Sequence, residues 1–275
     1  MNFTAHNIRL NGQTTTMPAD TPILAESVMW QAIAETVDLF FPKGREERSG
    51  MKVVDLGCLE GGYTAEFARM GFDALGIEAR ADNFRNCNLV KENLGLPNLN
   101  FVQDDVRNMA RYGPFDISLC YGLLYHLNDP VHFLKTVADS TKKLLLLNTH
   151  FAPEHDIRYY LGPVNRYFLA PIQKRTRFLE HQKNFRLSPI TLHEGYRGRW
   201  YKEWNKHANK SKVEKILWAS YNNNRSFWLC KKDLTKVLHN AGFKHVFEQF
   251  NFTGDLVPDH YTSRYNRTMF VALKA

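Results

Sequence analysis

Cysteine, long apolar runs and a dinucleotide fingerprint are scarce or missing in this sequence. The four cysteines, Cys58, Cys87, Cys120 and Cys230, are scattered over 275 residues without a CxxC pair. That spacing argues against a disulfide framework or a zinc ribbon and suits reduced thiols in a cytoplasmic protein. A catalytic cysteine would need an activating neighbour, and none stands beside any of the four. No run of about 18 uncharged apolar residues occurs, so no membrane span is expected. The first residues are polar, with Asn11-Gly12-Gln13 and three threonines, and lack a charged-then-apolar signal pattern. Metal-ligand spacing is absent as well. Asp104, Asp105, Asp129 and His150 are the nearest to a set, and no resident metal is expected.

What is present begins at Val53 to Arg80, VVDLGCLEGGYTAEFARMGFDALGIEAR. Val53-Val54 reads as a short buried strand. Gly57, Gly61 and Gly62 follow, and Tyr63 to Met70 has helical apolar spacing. Gly71 closes that helix, and Ala74 to Ile77 forms a second strand ending at Glu78. An acid thus stands at the tip of each strand. Glycines let the backbone approach a ligand closely, the helix N-terminus offers unpaired N–H groups, and an acid after the second strand can accept both ribose hydroxyls. A dinucleotide site would read GxGxxG. Here Leu59 occupies the second glycine position, and the Asp55 carboxylate would repel phosphate but pair with an ammonium group. The unit therefore suits a nucleoside ligand without a pyrophosphate.

Asp55-Leu56-Gly57-Cys58 through Gly61-Gly62, followed by Glu78, resembles motif I of the class I S-adenosylmethionine-dependent methyltransferases. Asn100 to Asp105, Phe115 to Gly122 and Leu123 to Leu127 resemble that family's later segments in the same order. The likeness covers roughly residues 50–150 and, more loosely, 231–275. It implies S-adenosyl-L-methionine as cofactor. Glu78 would hold the ribose, Asp105 (with Asp104 beside it) the adenine amino group, and Asp55 with the Gly57–Gly61 backbone the amino-acid end. Cys58, Glu60, Ala79, Val106, Cys120, Tyr121 and His126 would complete the cofactor pocket.

Alternating elements imply a doubly wound, seven-stranded Rossmann-like sheet. Thr21-Pro22 reads as a helix start, with a helix from Ile23 to Phe41. Asp82 to Leu94 is a helix closed by Gly95, Leu99 to Val102 the third strand and Asp116 to Cys120 the fourth. Asp129-Pro130 caps a helix through Asp139, and Leu144 to Asn148 is a buried fifth strand. The alternation resumes at Asp233 to Asn240, with strands near His245–Phe250 and Met269–Leu273. The expected organisation is an N-terminal helical segment over 1–50, a core over 51–150 and 231–275, and an inserted, mostly helical cap over 151–230.

That insertion holds 15 Lys and Arg against 6 Asp and Glu, leaving 21 against 22 elsewhere, so it carries the whole excess positive charge. It also holds four of the five tryptophans: Trp200, Trp204, Trp218 and Trp228. Arginine forks suit carboxylate or phosphate. Arg158, Arg166, Arg197, Arg199, Arg225 and Trp200, with Tyr125, are the candidate acceptor contacts, at least one of the arginines being expected in the acceptor pocket. For the base, His150 after strand five is favoured over His126 after strand four, because substrates of this fold approach from that side. The expected reaction is O-methylation of a small polar or anionic acceptor such as a sugar, nucleotide-sugar or natural product. The alternative is a tRNA- or RNA-modifying methyltransferase or carboxymethyltransferase-like enzyme, since a basic aromatic cap could track phosphates and stack bases and Gly122 to His126 resembles a segment of the bacterial tRNA wobble-uridine carboxymethyltransferase. Nucleic acid is disfavoured: no Asn/Asp-Pro-Pro-Tyr segment, no Pro-Cys nucleophile and no appended RNA-binding module is present.

Overall fold

The computed structural model describes residues 3–12, 14–154, 187–204, 213, 220–249 and 266–274. Seven strands form one sheet: β1 (Lys52–Leu56), β2 (Asp73–Glu78), β3 (Leu99–Gln103), β4 (Phe115–Tyr121), β5 (Thr141–His150), β9 (His245–Gln249) and β10 (Arg267–Leu273). Their order is β3-β2-β1-β4-β5-β10-β9. The first five are parallel, and β10 runs antiparallel between β5 and β9. The order reverses at β1 and β4, and a crevice opens outside the carboxyl ends of the strands at such a switch point.

The sequence explains the burial of the sheet on both faces. Leu144 and Leu146 of β5 join one apolar layer with Trp30, Ile33 and Val37 of α1 (Val28–Phe40), Phe67 of α3 (Gly62–Arg69) and Val90 of α4 (Ala81–Leu94). Leu145 and Leu147 point the other way. They meet Phe133 and Val137 of α5 (Pro130–Ser140) and Leu234 and Leu238 of α6 (Lys231–Asn240). A strand covered by helices on both faces needs such a continuous apolar run, not an alternating one. A one-turn helix, α2 (Arg45–Arg48), leads into β1.

Two details depart from the sequence reading. The first helix starts later than Thr21-Pro22. A 3₁₀ turn over Leu24–Glu26 intervenes, and Ser27 caps α1 by accepting from the Trp30 N–H at 3.2 Å. Thr21 instead closes a turn onto Pro18 and accepts from Asn7 Nδ2. In the insertion, the described residues form a three-stranded antiparallel sheet rather than helices: β6 (Thr191–His193), β7 (Tyr196–Lys202) and β8 (Arg225–Leu229). Gly198 permits that pairing, since a Cβ there would lie 2.3 Å from the Trp228 carbonyl oxygen. Ala152 bridges Cys230, so the insertion leaves and rejoins the core at one point. Residues 155–186, 205–212 and 214–219 of the insertion lie outside the described residues.

Candidate active site

A cleft of about 640 Å³ opens at the carboxyl ends of β1, β2 and β4, walled on one side by the insertion. At its floor Asp55, next to last in β1, is almost fully buried. It accepts from Thr64 Oγ1 at 2.8 Å. Burial pushes its carboxyl from 3.8 up to about 7, against the Thr64 hydrogen bonds and aided by the nearby Glu78. Glu78 accepts from the Leu59 and Arg80 N–H groups at 3.0 and 2.8 Å. Burial raises its carboxyl too, against those bonds. Gly57, at φ +71°, turns the backbone beneath the cleft, where a Cβ would stand 3.1 Å from Leu123 Cδ1. Leu59 also has a positive φ, 55°, unusual for a side chain of its size. Two buried acids above a glycine turn fit a ligand with a cation at one end and vicinal hydroxyls at the next.

The opposite wall carries an imidazole–carboxylate pair. Leu124–His126 forms a 3₁₀ turn after β4. The insertion holds this turn: the Leu127 carbonyl accepts from the Phe227 N–H at 2.8 Å, Tyr125 O from Trp228 Nε1 at 2.8 Å, and His126 O from Asn223 Nδ2 at 2.8 Å. His126 Nδ1 lies 3.0 Å from Glu203 Oε1, which also accepts from Ser226 Oγ at 2.8 Å. A carboxylate accepts only, so in the neutral imidazole it is Nδ1 that carries the proton and Nε2 the lone pair. Both His126 and Glu203 line the cleft.

A family model described as "Methyltransferase domain" matches residues 47–220. The chain belongs to the class I S-adenosylmethionine-dependent methyltransferases. A ubiquinone biosynthesis O-methyltransferase of Proteus mirabilis (strain HI4320) is 30% identical over 95 residues, covering 34% of this chain and 38% of that protein. A tRNA U34 carboxymethyltransferase of Sulfurimonas denitrificans (strain ATCC 33889 / DSM 1251) is 30% identical over 132 residues, covering 44% of this chain and 41% of that protein. The chain thus spans about two fifths of the length of these curated relatives. Among solved structures, the N-terminal domain of EvdMO1 with SAH bound shares the fold at a TM-score of 0.61 and 23% identity, covering 91% of this chain and 82% of that one. The same domain in the presence of SAH and D-fucose gives 0.63 at 21% identity, covering 98% and 91%.

In this methyltransferase the cleft gathers Asp55, Gly57, Cys58, Glu78, Ala79, Asp105, Val106, Tyr121, Tyr125 and His126, all of them singled out by the sequence reading. Asp105 is partly committed: it caps the following 3₁₀ helix through the Arg107 N–H and pairs with that guanidinium at 3.1 Å. Other candidates lie apart from the cleft. Glu60 is buried and accepts from the N–H groups of Thr4, Ala5 and His6 at 2.7 to 3.0 Å, so it anchors the N-terminal segment. Gly61 starts α3 against Phe101, and Cys120 is sealed in the core, where burial pushes its thiol up to about 12. Asp104 is turned toward Asn108 and Tyr112, whose hydrogen bonds hold its carboxyl below the usual range.

The two candidate bases are placed differently. His150 is screened from the cleft, stacked on Trp228 with ring centres 4.8 Å apart and edge-on to Tyr125 at 4.7 Å. His126, the other candidate, is half-buried and lines the cleft. Among the candidate acceptor contacts, Arg197 pairs with Asp233 at 2.9 Å and with Glu154. Arg199 is buried and donates to the Pro153 and Ser188 carbonyls. Arg225 lies over the Trp200 ring at 4.1 Å, and neither lines the cleft. Arg158 and Arg166 lie outside the described residues. Among the described residues, the positive charge that reaches the cleft comes from Arg80, Arg107 and Arg267, none of which the sequence reading proposed for the site. Glu203 was missed as well. Among the described residues, no three His, Cys, Asp or Glu side chains converge as metal ligands, and no helix is long and apolar enough to cross a membrane.

Proposed function

We propose that this methyltransferase transfers a methyl group to a hydroxyl of a small polar acceptor, with His126 as general base and Glu203 as the residue that positions it. The observation that carries this is the 3.0 Å contact between His126 Nδ1 and Glu203 Oε1 in the cleft wall. When bound, S-adenosylmethionine supplies an electrophilic methyl on a sulfonium. Asp55 suits its ammonium group and Glu78 its ribose, because both are buried carboxylates with acceptor capacity toward the cleft. The chain's part in the transfer is to hold the acceptor hydroxyl and take its proton at His126 Nε2, the nitrogen that the Glu203 contact leaves unprotonated. Glu203 stabilises the imidazolium that results, a role that a carboxylate–histidine pair fills in many hydrolytic sites. The O-methyltransferase relative and the neighbour crystallised in the presence of D-fucose support a hydroxyl acceptor. The test is methyl-labelled S-adenosylmethionine with panels of catechol, sugar and hydroxy-acid acceptors. His126→Asn should keep S-adenosylhomocysteine binding and lose about 10²–10⁴ in turnover. Retained turnover would remove His126 from this role.

A second reading, transfer to RNA, draws on the tRNA U34 carboxymethyltransferase similarity and on the net +9 of residues 151–230. It predicts methyl or carboxymethyl transfer to a tRNA where the small acceptors give none.

A further inference from the structure

Arg267 is the guanidinium most clearly aimed at the reacting end of the cleft. It opens β10, paired in register with His150, and so lies beside the tips of β4 and β5. Its Nε donates to Asn148 Oδ1 at 2.7 Å, which fixes the plane of the fork. The rings of Tyr121 and Tyr125 lie 5.4 and 5.5 Å from its Cζ. Arg107, which also lines the cleft, is by contrast paired with Asp105 and Asp129. Among the described residues, Arg267 has no carboxylate within ion-pairing distance and no hydrogen bond from either Nη.

Building on the methyl-transfer reading above, we propose that Arg267 is the anchor for an anionic group of the acceptor, a carboxylate or a phosphate. A half-buried guanidinium between two aromatic rings is poorly solvated, and an anion that accepts both Nη donors relieves this. The rest of the cleft agrees with this polarity. Its acids, Asp55 and Glu78, stand at the β1 and β2 tips, where a cation and hydroxyls fit. The end by β4 and β5 offers a cation instead. Tyr125 lies between Arg267 and His126, with its ring 4.3 Å from the imidazole. An acceptor held at both places carries its anion and its reacting hydroxyl about one ring apart, as a hydroxyaryl acid or a sugar acid does. Neutral sugars and isolated catechols lack the first of these groups.

Calorimetry on the full chain tests this with small probes, both with and without saturating S-adenosylhomocysteine. Benzoate and phenyl phosphate serve as anions, and benzamide as the neutral isostere of benzoate. At least one anion should bind about tenfold or more tightly than benzamide, and the stronger of the two identifies the group recognised. Arg267→Met should erase that preference while S-adenosylhomocysteine still binds. Arg267→Lys, which keeps the charge and loses the fork, should retain only part of it. Equal binding of benzamide and both anions by the native protein overturns the proposal, and so does an anion preference that survives in a folded Arg267→Met variant. If Arg267→Met does not fold, an undiminished preference in Arg267→Lys overturns it instead. Loss of S-adenosylhomocysteine binding by the native chain would count against the methyl-transfer reading alone, because the probe comparison without it still decides the anion site.

Discussion

Asp55 and Glu78 show how far one residue's surroundings decide its chemistry. Both are buried, and burial alone disfavours their charged forms. For Asp55 the consequence has a definite sign. Its folded pKa lies above the ordinary 3.8, so the native state alone is most favoured below 3.8 and loses that stability as pH rises toward about 7. An ammonium ligand reverses the preference, since it needs the ionised carboxylate. S-adenosylhomocysteine affinity should therefore climb as pH is raised through about 7, and Asp55→Asn should flatten the climb while weakening binding; calorimetry at pH 6 and 8 checks both. Glu78→Ala should cost about 1.5–3 kcal/mol of the same affinity, the worth of a charge-assisted hydrogen bond, and unchanged binding would end the ribose assignment. Glu203→Gln belongs with these. It keeps the shape but weakens the hold on the His126 tautomer, so kcat should fall far more than KM changes.

At the scale of elements, the N-terminal segment behaves as part of the site because Glu60 ties it down. Three successive N–H groups converge on one buried carboxylate, and His6 from this segment lines the cleft, its Nδ1 accepting from the Gly62 N–H at 3.1 Å. Glu60→Ala should release residues 4–6, seen as faster amide exchange there, and lower cofactor affinity without any direct contact being lost. The insertion's sheet offers a contrasting case. In Gly198→Ala the new methyl meets backbone, not a flexible side chain, so β7 and β8 must part. A loss of about 1–3 kcal/mol in stability is expected, read as a lower Tm, and it should loosen the Trp228 and Asn223 hydrogen bonds that hold the His126 turn.

The elements also show which parts of the molecule the sequence discloses. Asp55, Gly57 and Glu78 were legible because a strand–turn–helix–strand unit fixes their geometry over 28 consecutive residues. The five parallel strands were legible for the same reason: local periodicity and glycine punctuation. Glu203 was not, because it lies 77 positions from His126 in an irregular stretch whose only signal is an acid among aromatics. Arg267 depends on the register of an antiparallel strand with β5, a non-local fact. Arg197, Arg199 and Arg225 of the insertion stand away from the cleft, and the charge count could not foresee it. Counting acids left too few partners, yet Arg199 is satisfied by carbonyls and Arg225 by the face of Trp200. That His150 stands behind the cleft wall was not legible either, because Trp228, from β8, stacks over it.

For the whole molecule, the division of charge between a near-neutral core and a basic insertion sets the behaviour toward polyanions. Association with RNA through such a surface releases counterions, so it should weaken steeply with salt. Filter binding of bulk tRNA at 50 and 200 mM salt is the check. Binding that disappears by 200 mM supports the small-acceptor reading, whereas tight binding at the higher salt with transfer to RNA favours the second. The antiparallel strand described above has one more consequence, for how the chain reaches this state. β10 fills the gap between β5 and β9 but comes after both in the sequence, and its partner residues in β5 are more than a hundred positions away. Until it arrives, the Leu144–Leu147 run presents an open edge of four leucines, the kind of segment that pairs with another copy of itself. Assembly dominated by such distant contacts is slow. Refolding yield should therefore fall as protein concentration rises, and a lysine placed at Leu145 to discourage self-pairing would not be a remedy, because that side chain must end in the core.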